Sequence, residues 1–179
     1  LHKIQKMGFP GIKLHPDYQD FYVDDPRLEG IYKEVADLGL ILVFHAGFDI
    51  SKPNDTHATP KRLANVLPLL EQSTTVLAHM GGYAMYEEAY ELLCGSDIYL
   101  DNSYNFDHLP VDLAKKMFKK HTPDRILFGS DSPWCSQKTL VDFFVNDFSY
   151  GFLSREDTDK VMWKNAAELL CIKTPPTKV

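Results

Sequence analysis

Five times along the chain a short apolar run breaks off at a polar residue or a glycine, and a stretch with helical spacing follows. The runs are GIKLH (Gly11 to His15), LILVFHAG (Leu40 to Gly47), TVLAHMGG (Thr75 to Gly82), IYLDNS (Ile98 to Ser103) and RILFGSD (Arg125 to Asp131). Runs this short and apolar read as strands of a parallel sheet, and LILVFHAG as a strand buried on both faces. The segments between them carry helix signals. Asp25 with Pro26 and Thr59 with Pro60 are N-cap and first-turn pairs, and Gly39 is a stop. Pro110 opens a helix, Ser154 starts a capping box, and Asn165 is expected to cap a last helix through Leu170. Pro68 should kink or shorten the helix that begins at Pro60.

Strand and helix in strict alternation mean a parallel sheet with helices outside it. Two architectures fit, a doubly wound sheet and a (β/α)8 barrel. No G-x-G-x-x-G and no P-loop follows any strand, which weakens the nucleotide-binding doubly wound alternative.

The strand ends carry the chemistry. Lys13 and His15, His45, His79 and Asp131 all stand at or near the C-terminal ends of their runs. In a parallel barrel those ends form the active-site face, where residues far apart in sequence meet. A single histidine there is more often structural. His, His and Asp on three ends are hard to explain as packing, and their donor types suit Zn, Fe, Mn or Co. A metal would also offset the cost of burying Asp131. Lys13 has three readings: a carboxylated metal bridge, a clamp for an acidic substrate, or half of an ion pair; the last two are preferred. Trp134 is either a substrate-pocket wall or a packing residue. His2 and His121 read as solvated helix residues, and His57 and His108 as loop residues whose role is more often surface than substrate contact.

Bulk properties narrow the partners. The chain has 179 residues and a net charge of −6, against a nucleic-acid or anionic-membrane surface. Its length and its 44% hydrophobic content fit one soluble domain. The cysteines, Cys94, Cys135 and Cys171, form no C-x-x-C pair. A disulfide framework and a thiolate zinc site are therefore not expected, and a reducing, cytoplasmic setting is. Cys135 reads as a packing residue.

The motifs GIKLHP, VFHAG, VLAHMGG, LFGSDSPW and NAAELL, in this order, resemble the amidohydrolase superfamily. The likeness is to the amidohydrolase-related branch that holds aminocarboxymuconate semialdehyde decarboxylase and related metal-dependent hydrolases, and it runs from Gly11 to Leu170. It implies a metal-dependent TIM barrel in which these five strands are the fourth to the eighth. It implies that His45 is a metal ligand, that His79 is a second ligand or the catalytic acid/base, and that Asp131 is a ligand and proton shuttle. The family's H-x-H motif on the first strand has no counterpart here. A whole barrel needs about 200–250 residues, and no three strands fit before Gly11. Leu1, Ile4 and Met7 read as the end of a helix stopped by Gly8, so the chain is expected to begin in mid-fold as the C-terminal portion of a barrel.

The expectation is a metal-dependent hydrolase acting on a small carboxylate, lactone or amide through a metal-activated water, with zinc preferred over Mn, Fe or Co. Asp131 and His79 are its catalytic residues, His45, His79 and Asp131 its metal ligands, and Lys13, His15 and Trp134 its substrate contacts. The alternatives are a decarboxylase of the same family and an inactive barrel fragment. A barrel deoxyribonuclease is disfavoured by the charge. Open edges on the first and last strands predict a homo-oligomer.

Overall fold

The computed structural model describes residues 1–105, 108–149 and 151–173. All five strands form, shorter than their apolar runs: β1 Gly11–Leu14, β2 Ile41–Phe44, β3 Thr75–Leu77, β4 Tyr99–Asp101 and β5 Ile126–Leu127. They pair in parallel in the order β1-β2-β3-β4-β5, with a helix between each pair, as in one arc of a barrel. The connecting helices are Glu29–Asp37, Pro60–Leu70, Tyr86–Leu92 and Val111–His121.

The sheet register explains the core. Leu14, Phe44, Leu77, Leu100 and Ile126 stand side by side in one row across the five strands. The last four are completely buried and pack with Leu63, Ala89, Met117 and Phe144 of the helical layer. Because side chains alternate faces, the row of Lys13, Val43, Val76 and Tyr99 points the other way, into the barrel interior. There LILVFHAG departs from expectation. Leu42 and Phe44 are buried, but Ile41 and Val43 are only half-buried, because the five-strand arc leaves their face partly open.

The helix signals hold where a side chain can reach a free N–H. Asp25, Thr59 and Ser154 accept from the backbone N–H of Arg27, Arg62 and Asp157. The helix from Pro60 runs through Pro68 and ends two residues later at Leu70. Asn165 is a correction. It sits inside a continuous helical stretch, Arg155–Asp159 and Asn165–Leu169 joined by the π-helical Lys160–Lys164. Its side-chain amide donates instead to the carbonyls of Pro123 and Ile126, at 2.7 and 2.8 Å, and fastens this helix to β5.

His121 is a second correction. It ends the helix Val111–His121 but is only 2% exposed. Gly95 N–H donates to its Nδ1 at 3.1 Å, and its Nε2 lies 3.0 Å from the Ile98 carbonyl. Burial pushes this imidazole down to about 4, so it is neutral near pH 7. His57 is also buried rather than superficial. Its backbone N–H donates to Asp17 at 2.9 Å and its Nδ1 lies 3.2 Å from the Pro16 carbonyl. His2 and His108 are exposed. The cysteines form no disulfide, and no helix of the described residues is long and apolar enough to cross a membrane.

Candidate active site

Register also builds the site. Lys13 lies beside Val43 in the β1–β2 pair, so two residues further on His15 falls beside His45. Neighbouring strands are about 4.8 Å apart, and the two imidazoles stack with centroids 4.1 Å apart and planes inclined by 10°. The His45 N–H still donates to the Leu14 carbonyl, which carries the ladder one residue past the strand. Two residues on, Gly47 has φ +88°, and its Cα approaches the Tyr83 backbone so closely that a Cβ would lie 2.2 Å from Tyr83 N. That approach folds the loop after β2 over the strand ends and brings Asp49 back to the histidines.

His79 follows β3 at a left-handed φ of +56°, a conformation that costs a non-glycine residue of order 1 kcal/mol or more. Its backbone N–H is held by the Asp101 carboxylate at 3.1 Å. Asp101 also accepts from the Ser103 hydroxyl and, at 3.0 Å, from the Ser103 backbone N–H. Gly129 leaves room for this turn, since a Cβ there would meet the Ser103 Cβ at 2.8 Å.

The hydrogen bonds select a tautomer. His79 Nδ1 lies 3.1 Å from both the Ser103 carbonyl and the Ser103 Oγ, whose own proton points to Asp101. Only an N–H can satisfy the carbonyl, so neutral His79 is protonated on Nδ1 and its Nε2 is an acceptor. His45 Nδ1, 3.2 Å away, then donates to that Nε2. His45 Nε2 is left as a bare lone pair, and it is buried with no hydrogen-bond partner. Burial, reinforced by His79, His15 and Lys13 against the pull of Asp49, pushes the His45 imidazole down to about 3.

Asp49 was missed by sequence reasoning. Its Oδ2 lies 3.2 Å from His15 Nε2 and 3.9 Å from His45 Nε2. The Ser51 backbone N–H, at 2.7 Å, and the Ser51 hydroxyl donate to its Oδ1. Burial raises this carboxyl, but the Ser51 bonds and the two histidines outweigh it and the net shift is downward. His15, His45 and Asp49 offer ligand atoms within 4.8 Å of one another. With two buried, unpartnered ring nitrogens, His15 Nδ1 and His45 Nε2, and a nearby carboxylate, this donor set fits a borderline divalent cation. The only sequence signal for Asp49 was its place four residues after His45, ahead of a serine that can hold it.

Lys13, His15, His45, His79, Asp131 and Trp134 all line one cavity of about 550 Å3, together with Asp49. Phe48, Tyr83 and Tyr104 give it aromatic walls. Asp131 corrects the picture of a deeply buried acid. It is half-buried, at φ +55°, and its carboxylate has no hydrogen bond or ion pair among the described residues. The desolvation cost that first suggested a metal there is correspondingly smaller. Trp134 is 77% exposed, which removes the packing reading.

The comparisons agree with the fold. The amidohydrolase family profile matches residues 1–172. Among curated proteins none matches the sequence. A TIM-barrel protein of Bordetella bronchiseptica superposes with a TM-score of 0.74 at 23% identity, over 95% of this chain and 60% of that one. A 5-carboxyvanillate decarboxylase from Sphingomonas paucimobilis gives 0.68 at 15% identity, over 96% and 62%. A dihydroxybenzoic acid decarboxylase from Polaromonas sp. JS666, holding manganese and the inhibitor 2-nitroresorcinol, gives 0.67 at 19%, over 96% and 64%. Identities this low carry the fold alone, and the chain spans less than two thirds of the length of these three proteins. The parallel order of the strands, the polar groups gathered at their C-terminal ends and a match over nearly the whole sequence lead to one conclusion: this chain belongs to the amidohydrolase family.

Proposed function

We propose that the complete protein is a metal-dependent enzyme that decarboxylates a small aromatic carboxylate. One observation carries this reading: a single cavity combines buried metal-type donors, a lysine ammonium and aromatic walls. The decarboxylases with a similar fold, one of them with manganese bound, support it. When bound, the cation would supply Lewis-acid stabilisation of negative charge on the substrate, with zinc and manganese both compatible with the donors.

This chain's residues supply the rest. Lys13 attracts and orients the carboxylate or a phenolate. Phe48, Tyr83, Tyr104 and Trp134 hold the ring flat and limit water at the reacting carbon. A proton is delivered to the ring carbon from His79 or Asp131. The bond from that carbon to the carboxyl carbon breaks, carbon dioxide leaves, and its electron pair restores the aromatic ring. The Ser103 and Asp101 bonds fix the His79 ring; to act as the acid it carries a second proton on Nε2, in place of the one that His45 offers there. General acid–base help of this kind is worth about 10²–10⁴-fold.

A second reading, hydrolysis of a lactone or amide, is favoured by the Asp131 carboxylate, which lines the cavity without a partner among the described residues and can take a proton from an attacking water. The full protein, assayed with hydroxybenzoates for carbon dioxide release and with lactones and amides for acid release, separates the two. Turnover of benzoates alone, lost on His79→Asn, supports decarboxylation. Turnover of lactones or amides alone moves the protein to the hydrolase reading. Turnover indifferent to both chelation and His79→Asn contradicts the site itself.

The outer edges of β1 and β5, unpaired among the described residues, further lead us to propose that the chain self-associates through them. Sedimentation velocity showing only monomer at micromolar concentration contradicts this.

A further inference from the structure

We propose that Asn102 is a positioning residue: its side-chain carbonyl takes the place of a backbone carbonyl in the β4–β5 ladder, and so fixes where Asp131 stands relative to His79. The inference rests on the reading above in which these two residues handle the proton, and it adds what holds them in register.

In a parallel ladder a residue's N–H and C=O both bond to the neighbouring strand, one on each side of the residue opposite. The register sets Leu100 beside Ile126 and Asp101 beside Leu127, so Asn102 comes beside Phe128. The Asn102 backbone N–H donates to the Leu127 carbonyl at 3.0 Å, as that register requires. Its backbone carbonyl should then accept from the Gly129 N–H. The side chain makes that bond instead: Gly129 N–H donates to Asn102 Oδ1 at 3.0 Å.

The exchange has a reason. Past Asp101 the chain turns inward, because the Ser103 N–H bonds back to the Asp101 carboxylate and the Ser103 carbonyl and hydroxyl both reach His79 Nδ1. In that turn the ladder loses the Asn102 backbone carbonyl, and an amide side chain carries the same acceptor group on a short stem. The far end of the loop is fixed as well, since the Tyr86 hydroxyl donates to Asn105 Oδ1 at 2.9 Å. On β5, the Phe128 N–H points away from β4 and donates to the Val161 carbonyl at 2.9 Å. Of Ser130 and Asp131, among the described residues, only the Asp131 carbonyl has a hydrogen bond, from the Trp134 N–H at 3.0 Å. One loop thus orients His79 through Asp101 and Ser103, and the approach to Asp131 through Asn102.

Stability alone does not account for this asparagine. It is 2% exposed, and its Nδ2 is buried without a partner. An unmet buried donor is costly, so an apolar side chain of the same shape would lose one hydrogen bond but also remove one unmet donor.

The test compares two variants of near-equal shape in the complete, manganese-loaded protein. Asn102→Leu lacks the acceptor, and Asn102→Asp keeps an oxygen in its place. With salicylate as the probe, Asn102→Leu should lower kcat at least about 10-fold and leave KM within about 3-fold, because a misplacement of about 1 Å is enough for such a loss. Asn102→Asp should keep kcat within about 3-fold of the unaltered protein. Crystal structures of both variants add a readout independent of turnover. Asp131 should shift relative to His79 by about 1 Å or more in Asn102→Leu and return in Asn102→Asp. Asn102→Ala takes the place of Asn102→Leu if circular dichroism shows that the latter has not folded. An unchanged kcat in Asn102→Leu, an equal loss in both variants, or an Asp131 that does not move overturns the inference. If the unaltered protein leaves salicylate intact, that result counts against the decarboxylase reading, and the crystal structures alone decide the role of Asn102.

Discussion

His45 and His121 are alike in most respects. Both are at least nine-tenths buried, both are driven neutral by burial, and both stand at the end of a regular element. They differ in one: His121 has a partner on each ring nitrogen, and His45 has a partner on one. His121 closes the Gly95 turn against the helix Val111–His121, at the end of the sheet where β4 begins. His45 stands at the opposite end, where β2 stops. Burial and a depressed pKa therefore do not separate a structural histidine from a functional one in this fold. On the proposed reading, an unmet hydrogen-bonding need does.

The largest expected effects come from removing either ring. His45→Ala should lower zinc affinity by more than about 100-fold and change unfolding free energy by less than about 1 kcal/mol, since it removes an unsatisfied atom along with its contacts. His121→Ala should do the reverse, costing about 3 kcal/mol through two lost hydrogen bonds and a cavity, with zinc affinity unchanged. Calorimetry and urea unfolding read both quantities. Equal loss of stability in the two variants would erase the contrast.

The next effect is pH dependence. The ordinary value for histidine is 6.5, and folded His121 stands at about 4. As pH falls below 6.5 the unfolded chain takes up a proton that the folded chain refuses. Stability from this group is complete above pH 6.5 and is lost progressively down to about 4. Between pH 7 and pH 5 the loss is about 2 kcal/mol, at about 1.4 kcal/mol per pH unit. Urea unfolding at the two pH values checks it, and His121→Gln should flatten the slope.

What the sequence disclosed follows the same division. The five strands, their parallel arrangement and most helix starts were legible, because periodicity and capping are local signals. Thr59 and Ser154 declare their helices within four residues. Asp49 was not legible, because its importance comes from Gly47 letting the loop fold back, and from Ser51 holding the carboxylate. His121 read as solvated because it follows a run of lysines on a surface helix, and only the Gly95 turn from a distant segment buries it. Asn165 looked like a cap because its two acceptors belong to residues some forty positions earlier. The apolar run of β2 revealed a strand but not that one of its faces is half-open.

Smaller effects probe the site around His45. Ser103→Ala removes the hydroxyl at His79 Nδ1 but leaves the carbonyl, so turnover should fall about 10-fold with metal affinity unchanged. A loss of bound metal instead would place His79 in the ligand set. Trp134→Ala should raise KM several-fold, on the order of 1 kcal/mol for lost ring contact, and leave kcat nearly unaltered. An unchanged KM would remove Trp134 from the substrate wall.

The most direct measurement is an anomalous difference map from crystals grown with zinc or manganese. The account predicts one strong peak in the cavity within coordination distance of His45 Nε2. A peak out of reach of His45, or no peak in the cavity, would contradict it.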